Sequence, residues 1–178
     1  MTSTAEAGRT VETVTTVAGA MERWEVIVIG AGLSGMYQLH RLRELGFKVH
    51  VYEAGGDVGG TWYWNRYPGA RFDSESWTYG FSFSEELLRE WDWVEHFSGQ
   101  PENLRYCNFV ADKFDLRRDI TFGARAKQAA WDEAANEWEV VFEDGRRARA
   151  RFLITAIGPL SAQTMPVIEG AGDLKGGC

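Results

Sequence analysis

Two groups of residues have types and spacings that could do chemistry. The first is "GAGLSG", residues 30 to 35, which reads G-x-G-x-x-G. Glycines so spaced let a chain turn sharply out of a strand, bring bare backbone against a pyrophosphate, and pack the next helix closely on the sheet. Gly30 would make the turn, Gly32 would face the anion and Gly35 would permit the packing. Free N–H groups at the helix start, with the positive end of the helix dipole, would hold the phosphates. Glu53 stands 18 residues beyond Gly35. A carboxylate there can accept hydrogen bonds from both hydroxyls of an adenosine ribose. It would repel a 2′-phosphate, which disfavours NADP at this first site.

The second group is "GGTWYWNRYPGARFDSES", residues 59 to 76, with five aromatic residues, two arginines and two carboxylates between glycines. It has neither a helical stripe nor strand alternation. Ordering such a run costs conformational entropy unless it wraps something. Flat aromatic walls with polar edges suit a flat ring system. Its Gly59-Gly60 pair begins six residues beyond Glu53. A second stretch of bare backbone so close to the ribose carboxylate suits a cofactor lying extended over a sheet edge.

The elements that must position these groups are legible around them. "WEVIVIG" predicts a buried strand from Trp24 to Ile29. Leu33, Met36, Leu39, Leu42 and Leu45 recur at helical spacing, and Gly46 supplies a C-cap. "KVHVYE" predicts a second strand ending at Glu53. Strand, helix and strand form a βαβ unit. Ser84 should cap a short helix carrying Glu85 and Glu86 in its first turn, and Pro101 should open a longer one. On that helix Leu104, Cys107, Val110 and Phe114 line one face. "ITFGARAKQAAW", "EWEVVFE" and "RRARARFLITAI" read as strands, with a hairpin at Asp144-Gly145 and a last buried strand from Phe152 to Ala156. The fold class expected is α/β: a parallel, Rossmann-like sheet with a helical insertion and a small antiparallel β-meander.

Composition narrows the function. The chain has 178 residues and a formal charge of −7. The acidic balance argues against a nucleic-acid partner. No apolar run is long enough to predict a membrane span. Residues 1–23 read as a disordered polar leader without the order of a secretion signal, so a cytoplasmic setting is expected. Cys107 and Cys178 make no disulfide framework and no redox pair. His40, His50 and His96 stand apart, as surface or packing residues, so no metal site is expected.

Beyond the glycine fingerprint, the sequence resembles the Baeyer–Villiger monooxygenases, a group of class B flavin monooxygenases, from about Trp24 to about Pro166. The resemblance rests on residues 59 to 76, on the spacing of Glu53 from Gly59-Gly60, and on "FSFSEELLREWDW", "QPENLRYCNFVADKFDLRRDITF" and "ITAIGPLS". It implies FAD as the cofactor. Gly30, Gly32, Ser34 and Gly35 would meet its pyrophosphate and Glu53 its ribose. Gly60, Thr61, Trp62 and Trp64 would lie along the flavin side. Tyr79 would stand near the ring system, and the backbone of Ala126 would contact adenine. Arg71 and Asp73 match an R-x-D pattern beside flavin and nicotinamide, and are the expected catalytic pair, acting as orienting groups. Phe72 departs from the pattern: relatives carry a smaller residue there, often cysteine.

The implied reaction converts a ketone to an ester or lactone with NADPH and O2. The family's second G-x-G-x-x-G and its F-x-G-x3-H-x3-W-P fingerprint do not occur in these residues. Residues 24–166 are therefore expected to be the N-terminal part of an FAD-binding domain, with 167–178 leading towards an NADPH domain. A complementary chain carrying that domain is the expected partner. Alone, the chain should expose a sheet edge and an apolar face, and bind flavin weakly. Two other readings stay open: a different FAD-dependent oxidoreductase such as an N-hydroxylase, or an inactive FAD-binding module.

Overall fold

The computed structural model describes residues 21–161 and 166–170. The expected leader falls almost wholly outside the described residues, as does most of the expected tail. Strand β1 (Glu22–Ile29) runs through the centre of a six-stranded sheet. Its β-branched run has Val26, Ile27 and Val28 almost fully buried. That two-sided burial is the condition under which a continuous apolar run is stable as a strand. The chain then forms helix α1 (Leu33–Glu44) and strand β2 (Val49–Tyr52), which pairs in parallel with β1. This is the βαβ unit expected. The helix stops one residue short of the predicted stripe: Leu45 is its C-cap and 57% exposed.

The helical insertion follows, with short helices α2 (Thr61–Trp64), α3 (Ser76–Tyr79) and α4 (Glu85–Glu90), then the long α5 (Gln100–Lys113). Ser84 caps α4 by accepting a hydrogen bond from the Leu87 N–H at 3.2 Å. Pro101 sits in the first turn of α5, where its missing N–H costs nothing.

The remaining strands are β3 (Ile120–Thr121), β4 (Ala126–Asp132), β5 (Glu137–Phe142) and β6 (Arg147–Thr155). "ITFGARAKQAAW" is thus two strands rather than one. It breaks at Gly123, whose φ of +64° an extended strand cannot hold. β3 joins β2 in parallel, whereas β4 pairs antiparallel with β5. β6 pairs antiparallel with β5 over its first half and parallel with β1 along its length. The order is β3-β2-β1-β6-β5-β4. Among the described residues, Phe152 to Thr155 have no partner on the side away from β1. Phe152, Ile157 and Leu160 are exposed near that open edge.

The core lies on both faces of the sheet. On one, Val26, Val28, Val49 and Val51 meet Met36 and Leu39 of α1 and Cys107 and Ala111 of α5. On the other, Ile27 and Tyr52 meet Val140, Phe142, Ala148 and Ala150 of the meander. Burial pushes the Cys107 thiol up to about 12, which leaves it a packing group and not a nucleophile at neutral pH. His50 is a packing residue too. It stacks on Trp24 at 4.4 Å, its Nε2 meets the Thr121 hydroxyl at 2.7 Å, and burial lowers its pKa. No helix among the described residues is long and apolar enough to cross a membrane.

Candidate functional site

Strands β1, β2, β3 and β6 run the same way, so their C-terminal ends meet along one edge. β2 lies on one side of β1 and β6 on the other, so the connections leaving this edge diverge beside β1. Ligands of open parallel sheets bind at such switch points. The glycine turn lies there: Gly30 N–H donates to the Tyr52 carbonyl at 2.8 Å, and Ala156 N–H to the Ile29 carbonyl at 2.8 Å.

The turn is built for close approach. A Cβ on Gly35 would sit 1.8 Å from the Gly30 carbonyl oxygen, so α1 packs against the turn with no room for a methyl group. Gly60 faces Gly32 backbone to backbone: a Cβ on Gly60, whose φ is +52°, would lie 2.8 Å from the Gly32 Cα. The two glycine segments recognised separately in the sequence therefore form one cradle. Helix α1 opens at Gly32 with no side-chain cap and no acidic residue in its first turn. Its first N–H groups are left for an external acceptor, which fits an anion. Ser34 is exposed at this helix end.

Glu53 is 5% exposed at the end of β2. Its Oε2 accepts from the Ala31 N–H and its Oε1 from the Gly55 N–H, both at 2.6 Å. The carboxylate thus ties the glycine turn to the loop after β2. Each oxygen keeps lone-pair capacity for a hydroxyl donor. The segment before β4 lies alongside: Gly123 and Ala124 N–H donate to the carbonyls of Gly55 and Glu53 at 2.9 and 2.8 Å. Ala126, the first residue of β4, follows this contact by two residues.

The aromatic segment divides into an inner and an outer set. Trp62 is 6% exposed, and its Nε1 donates to the Tyr79 hydroxyl at 2.8 Å. Phe72 is 7% exposed and stacks on Tyr79 at 4.5 Å. Burial raises the Tyr79 pKa, and the Trp62 hydrogen bond opposes that shift. Trp62, Phe72 and Tyr79 thus form a rigid support with their rings against the core. Trp64 and Tyr67 face outward at 54% and 63% exposure. Phe72 faces into the core.

Arg71 and Asp73 stand on the exposed loop before α3. The Arg71 Nη1 donates to the Phe97 carbonyl at 2.8 Å and to Glu95 Oε2 at 3.1 Å. Asp73 makes no hydrogen bond or ion pair among the described residues, and pairs with neither Arg66 nor Arg71. Below the loop lies a buried polar knot that the sequence did not reveal. The Ser76 hydroxyl donates to the Glu95 carbonyl at 2.6 Å, and Ser98 donates to Glu102 Oε2 at 2.5 Å. The Val94 N–H donates to Glu102 Oε1 at 2.9 Å. Ser76, Ser98 and Glu102 are all buried, so the knot fixes the loop's far end on α5. Two cavities of about 500 and 470 Å³ lie away from the crevice, one over β4 and β5 and one beside α3 and α4. Among the described residues no cluster of side chains could hold a metal ion.

Comparison with known proteins agrees with this geometry. A family model described as an NAD(P)-binding Rossmann-like domain matches residues 28–91. The acetone monooxygenase (methyl acetate-forming) of Gordonia sp. (strain TY-5) is 47% identical over 152 residues, which are 85% of this chain and 28% of that protein. A Baeyer–Villiger monooxygenase of Pseudooceanicola batsensis is 45% identical over 154 residues, 86% of this chain and 28% of its own. Among solved structures, cyclohexanone monooxygenase from Rhodococcus sp. Phi1 bound to NADP+ superposes with a TM-score of 0.83 at 41% identity. That match covers 88% of this chain and 30% of the other. The chain thus spans well under a third of the length of these relatives. By sequence and by fold it is similar to the N-terminal part of Baeyer–Villiger monooxygenases.

Proposed function

We propose that this chain forms the FAD-binding part of an NADPH- and O2-dependent flavin monooxygenase that converts ketones to esters or lactones. The observation that carries the reading is the cradle of Gly30, Gly32, Gly35 and Gly60. It sits beside an uncapped helix end and the buried Glu53, where the parallel strands end. The relatives supply the reaction class, since they are named as acetone, cyclohexanone and Baeyer–Villiger monooxygenases.

In this reading the helix end from Leu33 to Gly35, with Ser34, binds the pyrophosphate, and Glu53 accepts the ribose hydroxyls. Ala126 borders the adenine through its backbone. Gly60, Thr61 and Trp64 flank the flavin, and the Trp62–Phe72–Tyr79 group keeps that wall rigid from behind. When bound there, FAD would supply the redox chemistry, with NADPH as reductant and O2 as oxidant, one oxygen atom entering the ketone and the other leaving as water. Asp73, exposed and without a partner among the described residues, orients polar groups of the second nucleotide or of the substrate. Arg71, held by Glu95 and Phe97, fixes the loop that carries Asp73. The NADPH site belongs to the rest of the enzyme, which the longer relatives carry on the same chain. A companion chain is the alternative arrangement for this protein.

The test is oxygen uptake by the complete enzyme with NADPH and a panel of ketones, with products identified by mass spectrometry. NADPH- and ketone-dependent uptake that yields an ester or lactone is expected. N-oxidation of an amine in place of ester formation would make it an N-hydroxylase. FAD binding without turnover of any substrate would leave a cofactor module.

A further inference from the structure

Helix α5 presents one row of side chains to the cofactor loop. Gln100, Leu104 and Asn108 are spaced four apart, so they stack along one helix face. The Gln100 amide donates to the Trp62 carbonyl at 2.5 Å. Leu104 reaches so far under Gly59 that a Cβ there would lie 2.8 Å from its Cδ1. The Asn108 amide donates to the Leu104 carbonyl at 2.8 Å, and its Oδ1 accepts from Arg117 Nη2.

Arg117 completes the row. Its Nη1 donates to Asp57 Oδ1 and its Nε to Asp112 Oδ1, the latter at 2.8 Å. Asp57 Oδ1 also accepts from the Val58 N–H at 2.7 Å. One planar guanidinium thus joins α5, the turn after it and the loop from Asp57 to Gly60, using its fork of donors on three acceptors. The far end of that loop is Gly60, packed on Gly32 in the cradle. Glu53 and its two N–H partners lie at the near end and make no hydrogen bond or ion pair with Arg117.

We propose that Arg117 is a positioning residue for the flavin half of the cofactor. It fixes the Asp57–Gly60 segment through Asp57 without touching the ligand. The inference rests on the FAD reading above. It separates the two halves of the site: the adenosine end depends on Glu53, and the Gly60 end depends on the Arg117 clamp. A loop that must be ordered on binding weakens affinity, and one already held does not.

The test compares FAD with ADP on the complete protein. Arg117→Met should weaken FAD about tenfold or more, the size expected when charge-assisted hydrogen bonds that preorganise a loop are cut, and ADP less than about twofold. The visible spectrum of bound flavin should shift, and Arg117→Lys, with a single ammonium for three acceptors, should restore only part of the loss. Asp57→Ala leaves Arg117 tied to α5 through Asn108 and Asp112 and should reproduce the selective loss, which covers the case in which Arg117→Met fails to fold. Equal losses for FAD and ADP, or no loss for either, would overturn the inference. Wild-type protein that binds no FAD would instead defeat the functional reading on which it stands.

Discussion

Gly35→Ala should cost about 3 kcal/mol of stability, at the upper end of overpacking penalties, and remove measurable FAD binding. Two effects oppose each other at this position. Alanine is a better helix former than glycine by up to about 1 kcal/mol, which favours the variant. Against it stands a Cβ placed 1.8 Å from the Gly30 carbonyl oxygen and 2.9 Å from its carbon. Neither neighbour is a flexible side chain that can swing away. Relief requires α1 to move off β1, which opens the turn and pulls the helix end from the crevice. The steric effect wins, and it damages the site as well as the fold. Gly46→Ala is the control. Unlike Gly35 it has positive φ, at +83°, but nothing lies within 4 Å of its Cβ, and it is at the other end of α1. It should cost about 1 kcal/mol through backbone strain and leave FAD affinity unchanged. Urea denaturation and flavin fluorescence titration of both variants check the pair.

Glu53→Ala should lower FAD affinity about 100-fold and stability by about 2–4 kcal/mol, since it removes the acceptor of two buried N–H groups. The Ala31 and Gly55 N–H groups both end on this carboxylate at 2.6 Å. Losing it orphans both donors and unties the glycine turn from the loop after β2. Glu53→Gln is instructive because it keeps the volume. One of its two polar atoms becomes a donor facing an N–H, so one bond becomes a repulsion. Its affinity and stability should fall between those of the wild type and Glu53→Ala. The wild-type carboxylate should also discriminate among nucleotides. ADP should compete with FAD, and ADP carrying a 2′-phosphate should compete poorly. Glu53→Gln should narrow that gap, because the repulsive charge is gone.

Much of this site was legible because its signals are local. The β1–turn–α1–β2 unit follows from a β-branched run, a glycine spacing and a helical stripe, and Glu53 from its place at a strand end. The helix boundary slipped by one residue, where Leu45 continues the apolar rhythm but lies outside the helix. The strand pattern misled at Gly123, because alternation carried on through a residue whose positive φ breaks the strand. The aromatic segment has no period, so nothing in it tells that Trp62 turns inward and Trp64 outward. Helices α2 and α3, of four residues each, are too short to leave a periodic trace. The tethers were invisible for a different reason. Arg117 meets Asp57 across 60 residues and Gln100 meets Trp62 across 38, and no local rule links such pairs.

The buried groups also explain why the support should be stiff. Tyr106 accepts a hydrogen bond from the Phe81 N–H at 2.7 Å, and burial pushes its hydroxyl up to about 12. It therefore stays neutral through the physiological range and pins the chain leaving α3 to α5. Together with the Ser76–Ser98–Glu102 knot and the Gln100 N–H bond to the Ala70 carbonyl at 2.8 Å, this anchors both ends of the segment that carries Arg71, Asp73 and Tyr79 on one long helix. Preorganisation of this kind is what a site needs when it must hold a large planar ligand without reordering its own loops.

Equilibrium titration of the complete protein with FAD, read by flavin absorbance and by displacement with ADP, bears most directly on the whole account. Saturable binding of one FAD per chain, reversed by ADP and lost in Gly35→Ala, is the predicted result. A protein that stays colourless in excess FAD, or that holds flavin equally well after the glycine turn is filled, would contradict it.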